Sequence, residues 1–178
     1  MTWYAARAGG MLAYLLLTSA VAAGLVMSGK SHGKRWPRFA VEDVHRFLGT
    51  LTGAFIVLHG AALLLDGFVP FSLSQLVVPG TAPYRPLYVA FGVVAAELLG
   101  ALAIANHFRT QLSYRFWRRT HYLNFAVWSL ALVHGLTAGT DARTTWALVL
   151  YAGSAWLVLA LLLHRVSLRW PEPARRAT

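Results

Sequence analysis

Five apolar segments, each long enough to cross a lipid bilayer, account for most of this sequence. A helix needs about 20 apolar residues to span a hydrocarbon core of roughly 30 Å. The segments predicted to do so cover residues 9–28, 41–65, 86–106, 120–139 and 145–164. Their apolar cores contain one charged residue, Glu97. We therefore predict an all-α integral membrane protein, a bundle of about five transmembrane helices that forms a single domain over residues 1–178.

The composition also favours a membrane protein over a water-soluble one. Of the 178 residues, 57% are apolar and 12% are charged, whereas a soluble domain carries roughly 25% charged residues. Cysteine is absent, which excludes disulfides, zinc fingers, thiolate nucleophiles and iron–sulfur clusters bound by cysteine. The seven histidines are left as the main reactive side chains.

The positions of the basic residues predict how the chain lies in the membrane, because cytoplasmic loops are rich in Lys and Arg. Of 16 such residues, only Arg7, Arg85 and Arg143 fall on one side, so we predict that this side is outside. The N-terminus is then outside and the C-terminus in the cytoplasm, for a protein of the plasma (inner) membrane. A signal peptide is the alternative for the first segment, since residues 18–24 resemble a cleavage site. No nucleic-acid partner is expected, because the basic residues are divided among three loops.

Four histidines fall at two matched depths on two parallel spans. The second span carries His45 and His59, and the fourth carries His121 and His134. We call His45 and His121 the inner pair and His59 and His134 the outer pair, about 21 Å apart along the helix axis. A lone histidine in a membrane helix often only bonds to a neighbouring helix. Two matched levels instead predict two flat metal macrocycles, each held from both sides, and imidazole is an axial ligand of haem iron.

The angular positions of the two histidines around the helix axis differ between the second and the fourth span. His59 lies within 40° of the stripe set by His45, and Gly49 lies on the same face, where a missing side chain would admit a porphyrin edge. His134 lies about 140° from His121 in an ideal helix, with Gly135 at the position in phase. The fourth span therefore needs either a tighter, partly 3₁₀ stretch or a twisted approach to the second site.

The two histidine motifs resemble the ferric reductase-like transmembrane domain family. This haem-carrying bundle is shared by ferric reductases, NADPH oxidases and the membrane subunit of the bacterial periplasmic methionine sulfoxide reductase. The motifs are VHRFLGTLTGAFIVLHG, with His45-x13-His59, and FWRRTHYLNFAVWSLALVHGLTAGTD, with His121-x12-His134. The unequal spacings recur in that family, and the resemblance extends over roughly residues 41–141.

The resemblance implies two haem b groups per chain. His45 and His121 would ligate the inner iron, and His59 and His134 the outer iron. Three arginines are placed to pair with propionates of the inner haem: Arg46, Arg118 and Arg119. The alternative is that they are surface charges that only set the topology. His164, near the inner level, is either a substitute ligand or an interfacial side chain.

Electrons are expected from another molecule, because the fifteen residues after Leu163 leave no room for flavin and nicotinamide domains and no GxGxxG follows a strand. The donor would be a cytoplasmic flavin reductase or a quinol, so flavin or quinone is a possible further cofactor. The acceptor would be an extracytoplasmic protein or ferric iron. We predict a transmembrane di-haem cytochrome b, the electron-transfer component of an oxidoreductase system. The alternatives are a self-contained ferric or oxygen reductase at the outer haem and a haem-free transporter or scaffold.

Three acidic residues have two interpretations each. Asp66 and Asp141 each follow an outer histidine by seven residues, where they would either solubilise the surface or attract ferric iron or a cationic partner. Glu97, without a basic partner at its depth, would be protonated by desolvation or take part in proton or quinone chemistry. The loop of residues 67–85 contains three prolines and is predicted to cover the outer site.

Overall fold

The computed structural model describes residues 2–28 and 37–167, and within these ranges every regular element is a helix. Several basic and aromatic residues of the predicted cytoplasmic side, among them Lys30, Lys34 and Trp170, lie outside the described residues. The helices are α1 (Thr2–Ser28), α2 (Arg38–Leu64), α3 (Leu73–Val77), α4 (Pro86–His107), α5 (Tyr114–His121), α6 (Asn124–Ala138) and α7 (Thr145–Ser167). The predicted all-α class is confirmed.

Four of these helices, α1, α2, α4 and α7, are long and apolar enough to cross a membrane. They make the chain a multi-pass membrane protein. The segment predicted as the fourth span, residues 120–139, is divided between the end of α5 and the 15-residue α6. At 1.5 Å per residue α6 extends for only about 22 Å, which is shorter than a full hydrocarbon core.

The helix break at Tyr122 and Leu123 has a clear hydrogen-bond pattern. The amides of Tyr122, Leu123 and Phe125 each donate to the carbonyl three residues earlier, as in a 3₁₀ turn. The His121 carbonyl, which the Phe125 amide would reach in a regular helix, instead accepts from Asn124 Nδ2 at 2.8 Å. Each residue in such a turn advances by about 120° rather than 100°. Of the two alternatives, the structure has the tighter, partly 3₁₀ stretch, which rotates α6 relative to α5.

The main core is formed by α1, α4, α6 and α7. Tyr14, Trp128 and Tyr151 are buried at its centre, and the Trp128 indole donates to Thr18 Oγ1 at 3.0 Å. Tyr151 of α7 lies so close to α6 that a Cβ on Gly135 would be 2.5 Å from its hydroxyl. Gly135, the residue in phase with His121 in an ideal helix, therefore packs against α7.

Helix α2 lies outside this core and packs mainly along α1, with little direct packing on α4 or α6. Several of its large apolar side chains are exposed, for example Phe47, Val57 and Leu58. Apolar surface on this scale is rare on a soluble monomer and is suited to contact with lipid or with a bound group.

Candidate haem-binding site

The structure brings the four histidines together as the two predicted pairs. The ring centroids of His45 and His121 are 6.1 Å apart, with an angle of 65° between the ring planes. Those of His59 and His134 are 6.5 Å apart at 74°. In each pair one histidine is on α2 and the other on the α5–α6 segment. These two parts of the chain make little other contact with each other.

Helix α1 holds both histidines of α2 in the same way. His45 Nδ1 donates to the Ala20 carbonyl at 2.8 Å, and His59 Nδ1 donates to the Ala6 carbonyl at 2.6 Å. Ala6 and Ala20 are fourteen residues apart, as are the two histidines, so one register of the antiparallel helix pair provides both bonds.

Glycines on α1 make room for these rings. A Cβ on Gly10 would lie 3.0 Å from His59 Nδ1, and a Cβ on Gly24 would lie 3.4 Å from His45 Cε1. Gly10 and Gly24 are also fourteen residues apart. The sequence reasoning missed this role of α1, although the repeat of small residues at the histidine spacing is a visible signal.

His134 is held by α4. Its Nδ1 donates to the Tyr88 carbonyl at 2.9 Å. A Cβ on Gly92, one turn further along α4, would lie 2.7 Å from both Nδ1 and Cε1 of this ring. The outer pair therefore has a carbonyl acceptor and a glycine contact on each side.

His121 has different neighbours, because it is the last residue of α5 and is next to the helix break. Its ring stacks on Trp117, with centroids 5.3 Å apart and planes at 26°. Its Nδ1 lies 3.5 Å from Asn124 Nδ2, a donor rather than a carbonyl acceptor. The inner pair is thus fixed by a carbonyl on the His45 side only.

The arrangement fits an iron atom held between two imidazoles. With metal–nitrogen bonds of about 2.0–2.1 Å, two axial imidazoles place their ring centroids about 6.3 Å apart, close to both observed separations. An Nδ1–H that donates to a carbonyl leaves Nε2 unprotonated and free to bind a metal. Gly49, on the histidine face of α2, has open space where a Cβ would stand. No group of three or more His, Asp or Glu side chains that could hold a bare metal ion occurs in the described ranges.

The three arginines predicted to bind propionates lie at the inner end, and their side chains are exposed. Arg46 forms an ion pair with Glu42 at 2.9 Å on the surface of α2. Arg118 donates to the phenols of Tyr122 at 3.4 Å and Tyr114 at 2.8 Å, and these bonds raise the pKa of its guanidinium. The side chain of Arg119, on the same short helix, has no hydrogen bond to a described residue, and its carbonyl accepts from the Tyr122 amide at 3.2 Å.

Both aspartates at the outer end bind within the protein, which corrects the expectation that they solubilise the surface or attract iron. Asp66 is 5% exposed and accepts from Thr2 Oγ1 at 2.9 Å and from the Val69 amide at 3.2 Å. Asp141 forms an ion pair with Arg7. Both bonds attach the start of α1 to neighbouring segments, because a carboxylate in such surroundings needs a partner.

The remaining predicted positions are Glu97, His164 and the loop between α2 and α4. Glu97 is exposed on α4 and makes no ion pair with a described residue, and His164 is exposed near the end of α7. The loop contains α3, which starts with a capping box formed by Ser72 and Gln75. Leu76 of α3 would lie 3.8 Å from a Cβ on Gly60, the residue after His59, so the loop packs against this end of α2.

A multi-pass all-α bundle with two facing histidine pairs defines a class of membrane protein suited to hold cofactors between its helices. Residues 9–133 match the family model described as ferric reductase like transmembrane component, and the chain belongs to this family. Membership indicates transmembrane electron transfer, and the family generally binds haem. Neither the curated proteins nor the solved structures compared with the chain gave a match.

Proposed function

We propose that this protein is a di-haem cytochrome b that carries electrons across the membrane. The observation that carries the proposal is the pair of histidine ring separations, 6.1 and 6.5 Å, at two levels of one bundle. His45 and His121 would be the axial ligands of the inner haem. His59 and His134 would be those of the outer haem.

The protein's part in this function is to set the depth, ligation and surroundings of each haem. When bound, haem supplies reversible one-electron chemistry at its iron. The carbonyl groups of Ala6, Ala20 and Tyr88 hold three imidazoles in the tautomer that leaves Nε2 available. The same bonds make these imidazoles stronger donors, which would favour the ferric state of a bound haem.

The hydrogen bonds to α1 and α4 also bear on the haem-free alternative. A haem-free scaffold that used each histidine only to join helices would need one of its two ring nitrogens for a hydrogen bond to the neighbouring helix. Here the bonds to Ala6, Ala20 and Tyr88 all use Nδ1, while the rings of each pair approach one another across the gap. Joining helices does not require two such pairs, whereas axial ligation does.

The direction of transfer that we propose runs from the cytoplasm to the outside of the plasma membrane. Among the described residues, Arg7, Arg85 and Arg143 lie at the end of the bundle that holds the outer pair. Seven arginines lie at the other end, which we assign to the cytoplasm: Arg38, Arg46, Arg109, Arg115, Arg118, Arg119 and Arg165. The N-terminus is then outside.

The electron donor that we propose is a cytoplasmic flavin reductase or a quinol, and the acceptor is extracytoplasmic. Helix α5 supports a role at the donor side, because its arginines are exposed next to the inner ligand His121. We propose that Arg46, Arg118 and Arg119, whose side chains are exposed at this end, neutralise propionates of the inner haem.

The test is a dithionite-reduced minus oxidised absorption spectrum of the purified protein, with a pyridine haemochrome assay for stoichiometry. We expect two haems b per chain. A value of one haem per chain contradicts one of the two proposed sites. Replacement of His59 or His121 in separate variants then identifies which of the two sites is empty. A stable, colourless preparation from haem-replete cells contradicts the proposal and favours the scaffold.

A further inference from the structure

Glu97 is an exposed acidic residue near the middle of a helix that is long enough to cross the membrane. It is the twelfth of the 22 residues of α4, and its side chain is exposed. This side chain forms no hydrogen bond or ion pair with a described residue. A carboxyl group in contact with lipid at this depth costs free energy, so such residues almost always face a protein partner or a water-filled cavity.

The position of Glu97 around the axis of α4 separates it from the rest of the bundle. Gly92 lies against the His134 ring of the outer pair. Ala95 and Leu102 are buried in the main core. At 100° per residue, Glu97 lies about 140–160° away from Gly92, Ala95 and Leu102. It therefore faces neither the outer histidine pair nor the main core, but the surroundings of the protein.

The face of α4 around Glu97 has the residue spacing of a helix–helix contact. Its residues follow one another at alternating intervals of three and four: Leu87, Ala90, Val94, Glu97, Ala101 and Ile104. All are exposed except Ala90, which is half-buried. This is the heptad pattern of helices that pack along each other. Ala101 is small, and a Cβ on the adjacent Gly100 would meet open space, so a second helix can come close.

A second copy of this chain provides the partner that Glu97 lacks. Copies in one membrane share one orientation, so α4 of one copy packs parallel to α4 of the other in a two-fold dimer. Parallel packing places each Glu97 opposite the same residue of the other copy, at the same depth. A neutral carboxyl group donates one hydrogen bond and accepts another, so the two groups satisfy each other.

We propose that the face of α4 around Glu97 is the contact surface of a homodimer, in which the two Glu97 carboxyl groups bond to each other inside the membrane. The apolar residues of the heptad face pack against their copies, and the carboxyl pair fixes the register of the contact. This surface lies on the side of α4 away from the outer histidine pair. The inference therefore does not depend on haem binding.

The chain has no cysteine, so a single introduced cysteine is a clean probe of this contact. Val94→Cys places a thiol on the proposed surface, one turn from Glu97. Ala152→Cys is the matched control, at an exposed position of α7. Val94 is the ninth residue of α4 and Ala152 the eighth of α7, and both helices start at the predicted outer end.

Both full-length variants are reconstituted into liposomes at a low ratio of protein to lipid and oxidised with copper phenanthroline. The rate at which the disulfide-linked dimer forms is measured on non-reducing gels. Val94→Cys is then combined with Glu97→Ala or with Glu97→Gln, and the rates are compared.

We expect Val94→Cys to cross-link about fivefold faster than Ala152→Cys, and Glu97→Ala to remove this difference because the polar contact is lost. Glu97→Gln should keep the rate within about twofold of its parent, because an amide also donates and accepts hydrogen bonds. Equal rates for the two cysteines, or an unchanged rate with Glu97→Ala, overturn the inference. A rate with Glu97→Gln as low as with Glu97→Ala overturns the hydrogen-bonded pair.

Two further results identify a different neighbour of Glu97. If Val94→Cys cross-links to another protein in native membranes but not to itself in liposomes, the partner is heterologous and the homodimer is overturned. If Glu97→Gln changes the haem absorbance spectrum, the residue faces a haem instead of a second copy. A wild-type preparation without haem contradicts the proposed function alone, because the cross-linking result stands without haem.

Discussion

Gly92 of α4 and His134 of α6 approach each other so closely that a Cβ on the glycine would lie 2.7 Å from the imidazole. Real Cβ atoms essentially never come so near, and the ring is also tied to the Tyr88 carbonyl. Gly92 is thus a positioning residue for the proposed outer ligand, although it touches neither metal nor substrate.

Replacement of Gly92 by alanine is expected to disturb the outer haem selectively. The added methyl displaces the His134 ring, so we expect the haem content to fall from two per chain towards one, or the outer midpoint potential to shift. Gly100→Ala is the matched control, because the same helix has open space at that position. Haem titration and potentiometry check both variants, and equal behaviour of the two would contradict a positioning role for Gly92.

His59→Ala is expected to remove the outer haem and leave the inner one. The two pairs are about 21 Å apart along the axis, and α1 holds each α2 histidine by a separate carbonyl. We expect half of the wild-type pyridine haemochrome value, with the remaining spectrum of bis-histidine type. Loss of both haems together would show that the bundle loads them as one cooperative unit.

Asn124→Ala is expected to affect the inner haem only. Asn124 Nδ2 donates to the His121 carbonyl at the helix break and lies 3.5 Å from Nδ1 of the His121 ring. Without it, the ligand loses its local support, so the low-spin signal of the inner haem in electron paramagnetic resonance should broaden or shift. Gln111→Ala, which removes an exposed amide in the loop between α4 and α5, is the control substitution. A shift of the outer signal instead would refute the assignment.

The buried hydrogen bond between Tyr14 and Ser154 is expected to stabilise the contact between α1 and α7. Its oxygen atoms are 2.5 Å apart and both residues are buried. A double-mutant cycle of Tyr14→Phe and Ser154→Ala should give a coupling free energy of about 0.5–1.5 kcal/mol. Reversible unfolding in detergent measures it, and Ser19→Ala, an exposed position on α1, should change the stability little. A coupling of zero would contradict the role of this bond.

Much of the site could be predicted from the spacing of four histidines, since fourteen steps on α2 return almost to the same face. The spacing of His121 and His134 could not be explained in this way, because a regular helix places them on different faces. Its solution depends on a 3₁₀ turn at Tyr122 and Leu123 and on the Asn124 side chain that accompanies it. No proline or glycine marks this break in the sequence.

The role of α1 was missed because this helix contributes backbone carbonyls, and glycines that leave room for the histidine rings. Ala6 and Gly10 carry no chemistry of their own, yet they hold His59. The outer aspartates were misinterpreted for a related reason. Their position suggested a surface, whereas the partners of Asp66 and Asp141 are on α1, far away in the sequence.

The weak direct packing of α2 on α4 and α6 has a consequence for biogenesis. Helix α1 packs on α6 and α7 through the main core, whereas the closure of α2 onto α6 would depend on two bridges of histidine, iron and histidine if haem binds as we propose. Cofactor insertion is then the last step of assembly. Haem supply in the cell would decide how much of the newly made chain matures and how much is left to membrane proteases.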